Sequence, residues 1–365
     1  MTLRQRKGRL TRWVALAPIG LVAVFPTASA LGQSRQSHAV FSIRGRITLL
    51  AADGNRAAVT TTVKPGCGRI VVWTAPGSRS ARVKPGILGC SGDGVSRLAV
   101  GDGRVAWIEQ GGGNNLELIV MAAKLGGGAA KQIEFATNGD RAGANPAGTW
   151  VGQLRGSGAL LAYNSWTQTC ARPAGEECGE RDPLLRLTGE KLVRIVSGRR
   201  LVIARDASAY PLAAVGGGRL AVETAVGVTI RSATGAQIAT VSNADGSARA
   251  VALSRTALAI ERTSTLDLYD PVTGTAVRSL PLGTAAGFRL VDLTGKLALL
   301  RGPHRVVLAR LSDGKRISVP LRPGAGRSLV GARLTEEGLF YAYNTRGALA
   351  GRVVFEPART LLARF

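Results

Sequence analysis

Four cysteines, two histidines and a scatter of arginines and tryptophans are the residues of this 365-residue chain whose types could do chemistry. The cysteines are Cys67, Cys90, Cys170 and Cys178. An even count in an exported chain predicts two disulfides, Cys67–Cys90 and Cys170–Cys178. No C-x-x-C pair occurs, and His38 and His304 stand far in sequence from every cysteine, so no metal site is expected. No cofactor is expected either. Exposed arginine beside tryptophan suits a carboxylate, a phosphate or a sugar. The candidate ligand-binding set is Arg141, Trp150, Trp166, Arg172, Arg199, Arg301 and His304. Acids are interspersed, among them Asp140, Glu176, Asp182 and Asp206, so the plainer reading is that many of these charges pair or are solvated. Trp73 and Trp107 lie inside apolar runs and read as core.

No motif specifies a reaction. G-x-S-x-G, H-E-x-x-H and a D-x-D-x-D-G calcium loop are all missing. His304, in RGPHR, has no sequence-visible partner acid or nucleophile. The Gly-Gly-Gly runs at Gly111, Gly126 and Gly216 open no helical pattern, so they do not cradle phosphate. The segments GDG at Gly101 and SDG at Ser312 are hairpin turns with too few oxygens for a metal.

The elements that must position these residues repeat. Seven apolar segments share one place in a recurring layout: RAAVTT from Arg56, RVAWIE from Arg104, ALLAYN from Ala159, RLAVET from Arg219, ALAIER from Ala257, KLALLR from Lys296 and LFYAYN from Leu339. Each follows a shorter apolar run and a Gly- or Ser-bearing turn. A loop, a third run, a tight turn and a fourth run come after it. Period-two alternation makes these runs strands, and the turn glycines supply the positive φ of a tight hairpin. The spacing fits four-stranded propeller blades, which repeat at about 40 to 50 residues. The prediction is an all-β, seven-bladed β-propeller of four-stranded antiparallel blades. A pair of β-sandwiches is the structural alternative.

VTIRSATGAQIATV from Val228 and VVLARLSDGKRISVPL from Val306 repeat one strand, turn and strand, and the segment YDPVTG from Tyr269 resembles the third-strand-to-turn segment of WD-repeat-like, quinoprotein-like and TolB-type propellers. The resemblance covers residues 46 to 365 in layout. The Gly-His and Trp-Asp pairs of true WD repeats are missing, as are the tryptophan-docking repeats of quinone enzymes.

In that layout, loops between strands one and two and between three and four share one face, and the other loops share the opposite face. The long insertions gather on the second set: Lys64 to Gly68, Lys84 to Arg97, Thr137 to Gly152, Ser165 to Asp182 and Gly198 to Tyr210. Long loops on a rigid scaffold are where binding resides. All four cysteines and the candidate ligand-binding set are assigned to that long-loop face.

The first thirty residues read as a processing signal. Arg4, Arg6, Lys7, Arg9 and Arg12 are followed by an apolar run from Trp13 to Pro26, then Ala28-Ser29-Ala30 as a cleavage pattern after Ala30. An uncleaved anchor is the alternative, against which the run's shortness and its prolines argue. The domains are then residues 1–30 signal peptide, 31–45 a short polar leader able to lend a closing strand, and 46–365 the propeller. Hydrophobic residues make up 45% of the chain, enough for a sizeable core. The formal net charge of +25 permits non-specific attraction to anions, although an Arg-rich genome composition produces the same number. The expectation is a secreted, monomeric binding scaffold whose partner is a protein or an anionic cell-surface polymer, with no specific nucleic acid and no membrane span after cleavage. A propeller enzyme (a lyase, hydrolase or quinone-dependent dehydrogenase) with a ring of acids and histidines around a deep central channel is the alternative.

Overall fold

The computed structural model describes residues 38–64, 67–83, 94–112, 116–139, 147–173, 176, 178–179, 182–206, 211–242, 248–285, 287–303, 305–319, 327–345 and 350–365. Seven four-stranded antiparallel sheets are arranged as the blades of a propeller. The second strand of every blade begins at or within two residues of one of the seven repeated segments: Arg56–Lys64, Arg104–Gly111, Leu160–Cys170, Arg219–Thr224, Leu258–Glu261, Leu297–Arg301 and Gly338–Thr345. The inner strands run Arg46–Asp53, Gly94–Gly101, Gly148–Ser157, Leu212–Gly216, Ala250–Leu253, Arg289–Leu293 and Arg327–Thr335, each touching the next around the axis.

Blade seven is composite. Its outer strand is Ala39–Arg44, which pairs antiparallel with Ala350–Pro357 from Ala39 opposite Phe355 to Arg44 opposite Ala350. The first described strand and the last thus share one sheet, and the ring is closed by backbone hydrogen bonds. This removes the unpaired edges that an open array would leave.

Alternation turns one side of each strand toward the preceding blade and the other toward the following one. The buried side chains accordingly fall into seven clusters, one at each interface between neighbouring blades. Trp107 lies in the cluster between blades one and two and Trp73 in that between blades seven and one, with exposures of 0% and 2%. Each indole N–H has a partner, Glu109 Oε1 at 2.7 Å and the Gly77 carbonyl at 2.6 Å. Both are core residues, as their place in apolar runs implies. The thinnest cluster joins blades three and four through Leu160, Ala162, Leu192, Leu212, Leu220 and Val222.

Polar bolts supplement the apolar interfaces. Glu261 Oε2 accepts from the Leu290 amide at 2.5 Å, linking blades five and six. Asp292 Oδ2 accepts from the Leu334 amide at 2.9 Å, linking blades six and seven. Tyr163 donates to Glu134 Oε2 at 2.5 Å between blades two and three; burial first, then that carboxylate, pushes the phenol's pKa upward. The inner turns of blades five, six and seven use a Ser or Thr as a local cap: Ser254, Thr294 and Thr335 each accept from backbone amides two or three residues on. The chain ends in a short helix, Ala358–Leu362, with Phe365 beneath the Arg310 guanidinium 5.2 Å from its ring centre.

Candidate functional site

Blade three departs from the other six. Its second and third strands, Leu160–Cys170 and Leu185–Val196, are 11 and 12 residues long. The described outer strand, Arg199–Asp206, pairs with the third strand as far as Asp206 opposite Glu190. Beyond Glu190, Leu185–Thr188 pair with Thr167–Cys170 as the end of a long hairpin. The first six residues of the stretch from Ser165 to Asp182 that reads as loop in the sequence, Ser165–Cys170, are thus strand.

The hairpin tip is tied down twice. Cys170 and Cys178 form a disulfide with Cα atoms 5.7 Å apart. Arg172 reaches Asp182 Oδ2 at 2.7 Å and Glu176 Oε2 at 3.2 Å. Asp182 also accepts from the Leu184 amide at 2.9 Å, and that bond leads the effects holding its carboxyl below the usual range. Among these polar ties the hairpin presents apolar surface: Leu184 and Leu187 are 37% and 42% exposed. The staple and the ion pair order this turn, so little conformational entropy remains in it.

At the base of the hairpin Trp150 and Trp166 are direct register partners, both partly buried. Trp166 packs so tightly over Gly152 that a Cβ there would lie 2.6 Å from its ring. Its indole N–H is buried without a hydrogen-bond partner and lines a cavity of about 20 Å³ with Glu190 and Arg231. That is room for about one water. These tryptophans buttress the hairpin rather than form an open platform.

The expected ligand-binding residues are only partly gathered. Trp150, Trp166, Arg172, Cys170 and Cys178 share the long-loop end of blade three. Arg301 is at the same end of blade six, half-buried, donating to the Val330 carbonyl at 2.8 Å; burial and then Arg333 depress its pKa. Arg199 is a correction. Ser197–Gly198 is the tight turn between the third and fourth strands of blade three, and the Ser197 amide donates to Asp102 Oδ2 in the inner turn of blade two. Arg199 therefore lies at the tight-turn end, opposite Arg301. The double arginine after a glycine imitates the start of a long loop, but a two-residue hairpin turn has the same composition. Arg141, His304, Cys90 and the side chain of Cys67 lie outside the described residues, and with them the expected Cys67–Cys90 bridge.

The channel along the axis encloses about 990 Å³; five acids, Asp53, Glu223, Asp292, Glu336 and Glu337, and no histidine are among its described lining. Its described ionisable lining is arginine, lysine, aspartate and glutamate. Among the described residues no three His, Cys, Asp or Glu side chains are placed to hold a metal ion. No described helix is long and apolar enough to cross a membrane. Sequence reasoning passed over Leu184 and Leu187, because an exposed leucine and a core leucine look alike in an alternating run.

Comparison with known proteins concerns the fold. No protein-family model matches the sequence, and no curated protein matches it. A chain of the mitotic checkpoint complex superposes with a TM-score of 0.50 at 13% identity, over 95% of this chain and 99% of that one. The Cps50 (Swd1) β-propeller domain of Myceliophteria thermophila gives 0.49 at 13%, over 87% and 99%. YCF48 from Cyanidioschyzon merolae gives 0.48 at 10%, over 86% and 98%. The layout is that of a WD-repeat-like propeller.

Proposed function

We propose that this chain is an extracytoplasmic scaffold that docks a protein partner on its long-loop face, with the blade-three hairpin as the contact element. The observation that carries the reading is the hairpin: two exposed leucines held on a tip stapled by Cys170–Cys178 and by the Arg172–Asp182 pair. Apolar side chains on a stapled hairpin suit a protein groove. The disulfide supports an oxidising compartment, in keeping with cleavage after Ala30. A protein is favoured over an anionic polymer because the Arg172 charge is already met by two carboxylates and Arg199 is at the far end of blade three.

The test is a double variant, Leu184→Asp with Leu187→Asp. It keeps the thermal unfolding of the parent, since both side chains are already exposed, and fails to compete with the parent for the partner. Full competition by the double variant would place the docking surface elsewhere.

A further inference from the structure

The axial channel contains an arginine that no described carboxylate contacts as an ion pair. The cavity is lined by inner-strand residues of all seven blades, down to the tight turns at Gly54, Gly158 and Gly217. A cleft of about 300 to 1,000 Å³ is the usual size for a small-molecule site. Halfway along it stands Arg155, on the inner strand of blade three. Its Nε donates to the Ala213 carbonyl of blade four at 3.2 Å and its Nη1 to its neighbour's carbonyl, Leu154, at 3.3 Å. No carboxylate of the described residues forms an ion pair with it.

The nearest charges explain why. Arg333, from blade seven, takes Asp292 for itself: Nη1 meets Oδ1 at 3.1 Å, and the other oxygen of Asp292 is held by the Leu334 amide at 2.9 Å. Arg333 is then fixed by donating from Nε to the Leu50 carbonyl at 3.3 Å. Both oxygens of Asp292 are thus engaged elsewhere, and its charge reaches Arg155 only through space, without an ion-pair contact. Arg97 adds a third positive charge, and Glu223 on the channel wall is the one further acid acting on Arg155. Burial, with repulsion from Arg333 next, pushes the Arg155 guanidinium down to about 10. The channel lining away from Arg155 carries both signs, Arg249, Arg255 and Lys296 beside Asp53, Glu336 and Glu337.

We propose that the channel is a binding site for a small organic anion carrying a carboxylate, held by the Arg155 guanidinium. The two carbonyl contacts fix the plane of the guanidinium and leave donors free for a planar oxyanion. Pre-orientation by backbone oxygens of two blades removes the side-chain entropy cost that a surface arginine would meet on binding. Glu223 opposes the anion and sets a limit on its affinity. The site is independent of the hairpin and does not rest on the scaffold reading.

Calorimetric titration of the mature full chain with glucuronate, with glucose as the uncharged counterpart and inorganic phosphate as a second anion, tests it. Saturable glucuronate binding is expected, at least tenfold tighter than glucose. Arg155→Gln is expected to lose tenfold or more, and Arg155→Lys, which keeps the charge without the fork, to lose less. Glu223→Gln, which removes an opposing charge, is expected to tighten glucuronate binding severalfold. This opposite sign keeps the test decisive should Arg155→Gln fail to fold. Lys296→Ala at the rim is expected to change little. Phosphate binding as tight as glucuronate would overturn the carboxylate assignment. No saturable glucuronate binding, equal binding by Arg155→Gln, or weaker binding by Glu223→Gln would each overturn the site.

Discussion

Asn344 closes the ring with both ends of its amide: Oδ1 accepts from the Ile47 amide and Nδ2 donates to the Ile47 carbonyl, each at 2.8 Å. The residues are 297 positions apart, and the contact joins the second strand of blade seven to the inner strand of blade one. Asn344 is 8% exposed, so Asn344→Ala strands two buried backbone groups as well as losing two bonds. Urea unfolding is expected to show a loss of about 2–3 kcal/mol. A loss under about 0.5 kcal/mol would mean that water replaces the amide and that closure rests on the Ala39–Arg44 strand and the apolar cluster between blades seven and one.

Close approach between blades makes another prediction. A Cβ on Gly216 would lie 1.9 Å from the Leu253 carbonyl oxygen, backbone of the next blade's inner strand that has no rotamer to yield. Gly126 has open space around it and no positive φ. Gly216→Ala is expected to lower stability by about 3 kcal/mol or more, and Gly126→Ala to leave it within about 0.5 kcal/mol. Paired thermal melts decide this; equal midpoints for the two variants would contradict the packing described.

Asp53 predicts a pH dependence. Its Oδ1 accepts from the Gly158 amide at 2.7 Å, a contact from blade one to blade three past blade two, and burial raises its pKa despite that bond and the nearby Arg56. A carboxyl raised on folding binds its proton more tightly in the native state. Native stability therefore falls as pH rises from the ordinary aspartate value through the raised one, and stays lowered above it. Asn keeps the acceptor without the charge. Asp53→Asn is expected to match the parent near pH 3 and to be the more stable of the two by pH 7. A stability difference independent of pH would contradict this.

The staple can be tested without a partner. Closing the eight-residue separation between Cys170 and Cys178 restricts the unfolded hairpin by roughly 2.5 kcal/mol. With both cysteines replaced by serine, hydrogen exchange at Leu185–Gly189 is expected to accelerate while the inner strand Gly148–Ser157 stays protected. Unchanged exchange at the tip would mean that the Arg172–Asp182 pair suffices.

The fold was legible because it is written seven times. Segments such as RVAWIE and KLALLR repeat one alternation and one turn, and each became the second strand of a blade. Faces were harder. Gly198-Arg199-Arg200 reads as a loop entry, yet Ser197–Gly198 is a tight hairpin that puts Arg199 at the opposite end from Arg301. The long strands of blade three were hidden for a related reason: Thr167–Cys170 is polar and only half alternating, so its pairing with Leu185–Thr188 is set by tertiary register. Arg155, Asp292 and Arg333 each interrupt an apolar inner strand, which the sequence does show. That they converge on one axis follows only from the ring.

Partner docking by the blade-three hairpin is tested most directly by photo-crosslinking from single positions in cells that express the protein. Leu187 is 42% exposed on the hairpin, and Val272 is 52% exposed in a tight turn of blade five, on the opposite face. With a photoreactive residue at position 187, a discrete protein adduct is predicted. It should be competed away by added parent protein but not by the Leu184→Asp, Leu187→Asp variant, and it should be missing when the photoreactive residue is at 272. Adducts of equal yield and identity from both positions, or competition by the double variant as strong as by the parent, would contradict the account.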